Sequence, residues 1–217
     1  MMQGYIDLYL SEVTANLGAM LDYAVGRCGE PLAPFYTRFL ASGISEQLDA
    51  GNPRYLCGMS GSELAMAVAV RTGAPLKDAE PTIDIGSREY WTGWTIGYLR
   101  WNLDVDFATL QSRGLPIDEL YARYSVLHEA DPTKALAFAR GALEEFARTD
   151  NPLRRARLNA GFTQRELAYL SNTTIRLIRA YEQGQLSLLN AGVETAMNIS
   201  RVLGCNVKDI LPVRLQD

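Results

Sequence analysis

Apolar residues recur at spacings of three and four along most of the chain, and this pattern predicts an all-α protein. Over residues 5–28 the spacing predicts one amphipathic helix of about six turns. Further helices are predicted from Pro31, over 45–49, 62–71, 87–103, 106–113 and 116–126, and from Pro132 to about Arg148.

Local signals divide this series of helices. Ser60 and Glu63 are spaced as a capping box ahead of an apolar run, while residues 73–86 contain two prolines and several turn formers and are predicted to be a loop. A polar break over residues 149–151, followed by Pro152 at a helix start, is typical of a domain boundary. We therefore expect two helical domains, over residues 1–149 and 150–217.

The helix predicted over residues 87–103 contains every tryptophan of the chain. Two interpretations of its aromatic stripe stay open: an aromatic seam in the core, or a pocket or surface that binds a ligand or a partner. Two glycines four residues apart lie on another face, where a second helix could approach closely. The aromatic stripe consists of Trp91, Trp94, Tyr98 and Trp101, and the glycines are Gly93 and Gly97.

The stretch from Leu153 to Gly184 predicts three short helices with a tight turn between the second and the third. Ala168 is small where the last two helices would cross. Asn172 falls in the turn, where the backbone needs a left-handed conformation that asparagine tolerates better than most residues. Ile178 and Tyr181 are expected to face inward.

These residues resemble the Cro/CI-type (Xre) helix-turn-helix family. The resemblance covers about 60 of the 217 residues and implies a five-helix lambda-repressor-like DNA-binding domain over residues 150–217. The matching positions are Leu153, Arg154, Arg157, Gly161, Thr163, Gln164, Glu166, Leu167, Ala168, Ile178, Glu182 and Gly184, followed by 190–195, 203–205 and 209–211.

The resemblance implies that the helix starting at Thr174 lies in the major groove with its first residues on base edges. Ile175, Arg176 and Arg179 match base-facing positions of the family. An arginine there could form a bidentate pair with guanine, whereas isoleucine offers only apolar contact, for instance to a thymine methyl group. Ala180 stands where many relatives carry a longer polar side chain.

The resemblance also implies contacts to the DNA backbone. Gln164 is expected to bond a phosphate at the start of its helix, and Arg154 and Arg165 are candidate phosphate contacts. Thr163 and Thr174 are the expected N-caps of the two DNA-facing helices.

Arg157 and Glu182 match positions that form an ion pair in the family. The pair would tie the first helix to the end of the recognition helix and so set the angle of that helix. Its contribution to DNA binding would be indirect.

Charge is distributed unevenly. From Asn151 onward there are nine basic and five acidic residues, a net charge of +4, whereas the preceding residues have twelve basic and twenty acidic ones, a net charge of −8. A basic segment on an acidic body indicates that polyanion binding belongs to the C-terminal part.

Other features narrow the class of protein. Three cysteines far apart are poorly suited to a disulfide framework or a zinc site, and the sequence suggests neither a signal peptide nor a transmembrane helix, so a cytoplasmic location without membrane association is expected. The lone His128, ahead of the helix from Pro132, is expected to be structural. With no catalytic motif, we expect no enzyme, no metal and no cofactor.

Three functions are compatible with these features. The leading one is a sequence-specific transcription regulator, expected to be a repressor that binds double-stranded DNA as a homodimer on a palindromic operator. The alternative is an antitoxin-like protein whose first domain binds a co-encoded, toxin-like partner and which represses its own operon. A repressor that senses a small-molecule effector through the first domain also stays open.

Overall fold

The computed structural model describes residues 2–77, 79–149 and 151–211, with side chains described from residue 9 onward except those of 147–149. The described residues are helical and contain no strand, which confirms the all-α class. None of the described helices has both the length and the hydropathy needed to cross a membrane. The chain divides into two compact units between Gly141 and Ala142.

The first unit contains ten helices within the described range, the last of which continues past the division. A π-helical segment, Asp22–Arg27, follows the first helix directly. The helices are α1 Met2–Leu21, α2 Leu32–Ala41, α3 Ile44–Asp49, α4 Pro53–Leu56, α5 Gly61–Thr72, α6 Arg88–Leu103, α7 Phe107–Ser112, α8 Ile117–Ala122, α9 Tyr124–Leu127 and α10 Pro132–Thr149.

The division between the units falls inside helix α10, not after it as the sequence suggested. The helix is continuous to Thr149, so the polar break that follows it marks the end of a helix and lies within the second unit. Asn151 then caps the next helix by accepting a hydrogen bond from the Arg154 amide at 3.2 Å.

Helices α1 and α6 make the closest packing of the first unit, through the glycines of α6. A Cβ atom at Gly93 would lie 2.2 Å from the carbonyl oxygen of Leu17, and one at Gly97 would lie 2.8 Å from the Leu17 side chain. At Gly93 only glycine permits this approach, because the neighbouring atom belongs to the backbone and real Cβ contacts essentially never fall below 3.0 Å, whereas at Gly97 the flexible end of the Leu17 side chain could move aside. The predicted close approach at the glycine face is confirmed.

The end of the first predicted helix differs from expectation. The α-helix ends at Leu21 and the chain continues as a π-helix in which the carboxylate of Asp22 is buried. That carboxylate accepts hydrogen bonds from the Ser87 hydroxyl at 2.6 Å and the Asp84 amide at 2.9 Å. These contacts join the π-helical segment to the loop before α6, a connection that helical periodicity does not reveal.

The second unit contains five complete α-helices among the described residues, after the end of α10. Its buried core joins all of them and the single 3₁₀ turn Leu188–Asn190. The helices are α11 Pro152–Asn159, α12 Gln164–Leu170, α13 Ile175–Glu182, α14 Val193–Leu203 and α15 Val207–Ile210.

Candidate nucleic-acid interface

The crossing of α12 and α13 forms the centre of the second unit. Ala168 of α12 is buried in one hydrophobic cluster with Leu167 beside it and Ile178 of α13, in keeping with the small side chain predicted at the crossing. The full cluster comprises Leu153, Leu167, Ala168, Ile178, Tyr181, Leu188, Ile199 and Ile210.

A tight turn separates α12 from α13. Asn172 has a φ of +52°, the left-handed conformation that the sequence predicted. The Thr173 amide then donates to the Ala168 carbonyl at 2.8 Å, which closes the turn. Helix α13 starts immediately afterwards, where the Thr174 hydroxyl accepts a hydrogen bond from the Leu177 amide at 3.2 Å. The turn therefore sets where the exposed face of α13 begins.

The start of α12 is capped by two reciprocal hydrogen bonds between Thr163 and Glu166. The Thr163 hydroxyl accepts from the Glu166 amide at 3.2 Å, and the Glu166 carboxylate accepts from the Thr163 amide at 2.7 Å. Hydrogen bonding of the carboxylate by the Thr163 backbone, and after it by the Thr163 side chain, holds the pKa of Glu166 below its usual value. The capping box fixes the entry of the chain into α12.

A buried ion pair connects α11 to the end of α13. Arg157 donates from Nε to Glu182 Oε1 at 2.6 Å and from Nη2 to Oε2 at 3.0 Å. The third contact of this guanidinium goes to the Phe162 carbonyl at 2.7 Å. Arg157 is 7% exposed and Glu182 is 4% exposed, so both charges are removed from water and depend on each other.

Gln164 joins this network at its surface side. Its Nε2 donates to Glu182 Oε2 at 2.7 Å, and its Oε1 accepts from Arg179 Nε at 3.4 Å. The side chain that was predicted to bond a phosphate is thus half-buried, with both ends of its amide in contact with other side chains. The sequence did not predict these two hydrogen bonds of the Gln164 amide.

The exposed face of α13 carries two arginines. Arg176 and Arg179 are both exposed, in keeping with the expectation that they face outward. Ile175 differs from that expectation, because it is half-buried and packs against the hydrophobic cluster. A groove runs along this face and is lined by Thr174, Ile175, Arg176, Leu177, Arg179, Ala180, Gln183, Gln185 and Leu186.

Two glutamines in this groove were not predicted from the sequence. Gln183 and Gln185 are exposed on the chain directly after α13. Gln183 follows Arg179 by four residues and Arg176 by seven, so helical spacing could have placed it on the arginine face. Ala180, in contrast, is buried and presents no polar group to the groove.

The remaining predicted contact residues lie on the first two helices of the unit. Arg154 on α11 and Arg165 on α12 are exposed. A further connection was not apparent from the sequence: Asn151 Nδ2 donates to the Tyr181 carbonyl at 2.7 Å, which ties the start of α11 to α13. Asn151 and Arg157 thus support the exposed helix at two places.

In the first unit, the predicted aromatic stripe is split between core and surface. Trp101 is buried and lies edge-on to Phe107, with ring centroids 6.0 Å apart, so it cannot form part of a partner surface. Trp94 and Tyr98 are half-buried and stack with centroids 5.3 Å apart and planes 10° apart. Trp91, also half-buried, packs edge-on against the ring of Tyr124.

The first unit also contains an ion pair in which the buried Arg100 donates from Nε to Asp49 Oδ1 at 2.6 Å. Burial raises the pKa of Asp49 against the opposing effect of the arginine, and burial also raises the pKa of Tyr36. Within the described part of the chain, no three His, Cys, Asp or Glu side chains converge as a metal site would require. His128 is exposed and stacks on Tyr124 with ring centroids 4.3 Å apart.

Comparisons of this chain with protein-family models, with curated proteins and with solved structures found no match.

Proposed function

We propose that the second unit binds DNA sequence-specifically and that the protein is a transcription regulator. The observation that carries this proposal is the pair Arg176 and Arg179, exposed on one face of a helix whose start, crossing and end are each held by buried or capped contacts. A rigid helix with two outward guanidinium groups has the form that major-groove recognition requires. The resemblance of this segment to the Cro/CI-type family supports the same function.

The chemistry of the exposed face suits base recognition. Each guanidinium can donate two parallel hydrogen bonds to O6 and N7 of a guanine, a pairing worth roughly 1–3 kcal/mol of discrimination against other bases. Ile175, half-buried, offers an apolar edge for a thymine methyl group. The exposed Arg154 and Arg165 provide positive charge for phosphates, on a segment whose net charge is +4.

A homodimer on a palindromic operator is part of this proposal. A unit that exposes two arginines covers few base pairs, and a dimer gains affinity by engaging two half-sites about one helical turn apart. Occupancy of such a site next to a promoter would block transcription, so we propose that the regulator is a repressor.

Selection of bound sequences from a random DNA pool with the full chain tests the proposal. We expect an enriched palindrome, in which Arg176→Ala and Arg179→Ala each abolish the preference at one base pair of the half-site. Arg201→Ala is the matched control, because it removes an exposed arginine of α14 that lies outside the groove. It should leave the sequence preference unchanged. Failure of the wild-type chain to enrich any sequence would contradict the proposal.

A second candidate function concerns the first unit. The half-exposed Trp94–Tyr98 stack offers a flat aromatic surface, and residues 1–150 have a net charge of −8, which favours a partner-binding role in an antitoxin-like regulator. Addition of a co-encoded, toxin-like protein should then change the tryptophan fluorescence, and Trp94→Ala should abolish binding without affecting DNA binding. A fluorescence response to a small molecule alone would favour an effector-sensing repressor instead.

A further inference from the structure

The amide of Gln164 connects an exposed arginine to the buried ion pair of the second unit. Its oxygen accepts from Arg179 Nε at 3.4 Å and its nitrogen donates to Glu182 Oε2 at 2.7 Å. Glu182 is in turn bonded twice by Arg157, at 2.6 and 3.0 Å. A continuous chain of hydrogen bonds therefore runs from the core of the unit to the exposed face of α13.

The orientation of this amide is determined by its two neighbours. A carboxylate can only accept hydrogen bonds and a guanidinium can only donate them. The amide nitrogen of Gln164 must therefore face Glu182 and the oxygen must face Arg179. Because Glu182 is 4% exposed and held by Arg157, the chain of hydrogen bonds has a rigid inner end.

Arg176 provides a contrast on the same helix. It is exposed like Arg179, but no hydrogen bond or ion pair joins it to another residue within the described part of the chain. Restraining a long side chain before binding reduces the conformational entropy lost in the complex, by about 0.5–1.5 kcal/mol for each side chain. Arg179 has this restraint and Arg176 lacks it.

Building on the proposed DNA-binding function, we propose that Gln164 is a positioning residue that restrains Arg179, so that the base facing Arg179 is discriminated more strictly than the base facing Arg176. The restraint acts at Nε and leaves the two terminal nitrogens of Arg179 available for O6 and N7 of a guanine. A guanidinium held in one plane forms that bidentate pair only where both acceptors are in place. Gln164 thereby affects sequence preference without touching a base.

The test compares base preferences of full-length variants in a selection from a random DNA pool. Arg179→Ala and Arg176→Ala first identify the base pair that each arginine recognises. Gln164→Met then removes both hydrogen bonds while keeping the length of the side chain. We expect its guanine preference to fall roughly two- to tenfold at the Arg179 position and to stay unchanged at the Arg176 position.

Two results would overturn the proposal. An even loss of affinity at all positions together with a shallower salt dependence would show that Gln164 contacts the phosphate backbone instead. An unchanged guanine preference at the Arg179 position would show that the restraint has no effect. Partial unfolding of Gln164→Met does not obscure either result, because neither the slope of the salt dependence nor a ratio of affinities for two DNA sites depends on the folded fraction. Arg165→Ala is the reference for a backbone contact, with an even loss and a shallower salt dependence.

A double variant gives an independent measurement. If Gln164 acts through Arg179, Gln164→Met causes no further change of base preference when Arg179→Ala is already present. An additional change in that background would overturn the proposal. The wild-type selection distinguishes failure of the two proposals. A wild-type chain that enriches no sequence contradicts the DNA-binding function itself. An enriched palindrome whose base preferences are the same in Gln164→Met and the wild type contradicts only the role of Gln164.

Discussion

Removal of the Arg157 side chain is the perturbation that most directly tests how helix α13 is supported. Arg157→Ala deletes both hydrogen bonds to Glu182 and the donor to the Phe162 carbonyl. Glu182 would keep its hydrogen bond from Gln164, at 2.7 Å, but would lose its only charged partner among the described residues. A carboxylate that is 4% exposed then keeps one hydrogen bond but loses the positive charge that compensates it.

The magnitude follows from this geometry. Breaking a buried ion pair by removing one partner typically costs about 3–5 kcal/mol, and we expect about 3 kcal/mol here because Gln164 still bonds Glu182. A unit of about 70 residues has a total stability of roughly 4–11 kcal/mol. The variant should therefore lose a large share of the stability of the second unit, with roughly a hundredfold increase in the population of its opened form.

Hydrogen exchange measured by mass spectrometry on the full chain localises the effect. Amides of the second unit should lose protection, while those of the first unit should keep it. Tryptophan fluorescence supplies a second control, since the tryptophans, Trp91, Trp94 and Trp101, all belong to the first unit. DNA affinity should fall together with protection, because the end of α13 is no longer tied to α11.

Arg154→Ala is the matched variant, because Arg154 lies on the same helix and is exposed. Its effect on protection should stay within about 0.5 kcal/mol, although DNA affinity would fall if Arg154 makes the proposed phosphate contact. Equal protection in Arg157→Ala and the wild type would refute the supporting role of the ion pair. An equal loss of protection in both variants would refute it as well.

Three further variants test packing and capping. Gly93→Ala should destabilise the first unit by about 3 kcal/mol, because the added methyl group would overlap the backbone of α1. Gly141→Ala is its control: the added Cβ would have no neighbouring atom within 4 Å, so the substitution should stabilise the helix by up to about 1 kcal/mol. Urea unfolding followed by circular dichroism measures both, and similar effects of the two substitutions would contradict the close packing. The lowered pKa of Glu166 implies a contribution to stability that is present at neutral pH and is lost as the pH falls below its ordinary value of 4.5. Glu166→Gln should flatten the pH dependence of hydrogen exchange in the second unit, and an unchanged dependence would show that the capping bonds with Thr163 are unimportant.

Features that depend on a few neighbouring residues were predictable from the sequence. The capping box at Ser60 and the left-handed conformation of Asn172 both appear in the structure as expected. Each arises from hydrogen bonds or steric limits within three or four residues, so the local sequence contains the necessary information. Some helix bounds followed for the same reason, for instance Arg88–Leu103 against the predicted 87–103, whereas the helix predicted over 116–126 is divided into Ile117–Ala122 and Tyr124–Leu127.

The side of a helix that becomes buried was less predictable. In α6 both the aromatic stripe and the glycine face could have packed inward, and the structure buries the glycine face against α1 while Trp94 and Tyr98 stay half-exposed. Ile175 is a second example, since the resemblance placed its side chain outward whereas in the structure it is half-buried and packs against the hydrophobic cluster. Which face has a partner depends on the path of the whole chain.

The sequence by itself determined the all-α class, most helix positions and the turn before the exposed helix, because these depend on local periodicity and capping. The resemblance also brought Arg157 and Glu182 together as an expected pair. Only the tertiary structure decided that the amide of Gln164 joins that pair to Arg179, since the hydrogen-bonded partners of this network are separated by 15 to 25 positions along the chain. Hydrogen-bond geometry between such distant side chains depends on how the helices pack, and no local pattern encodes it.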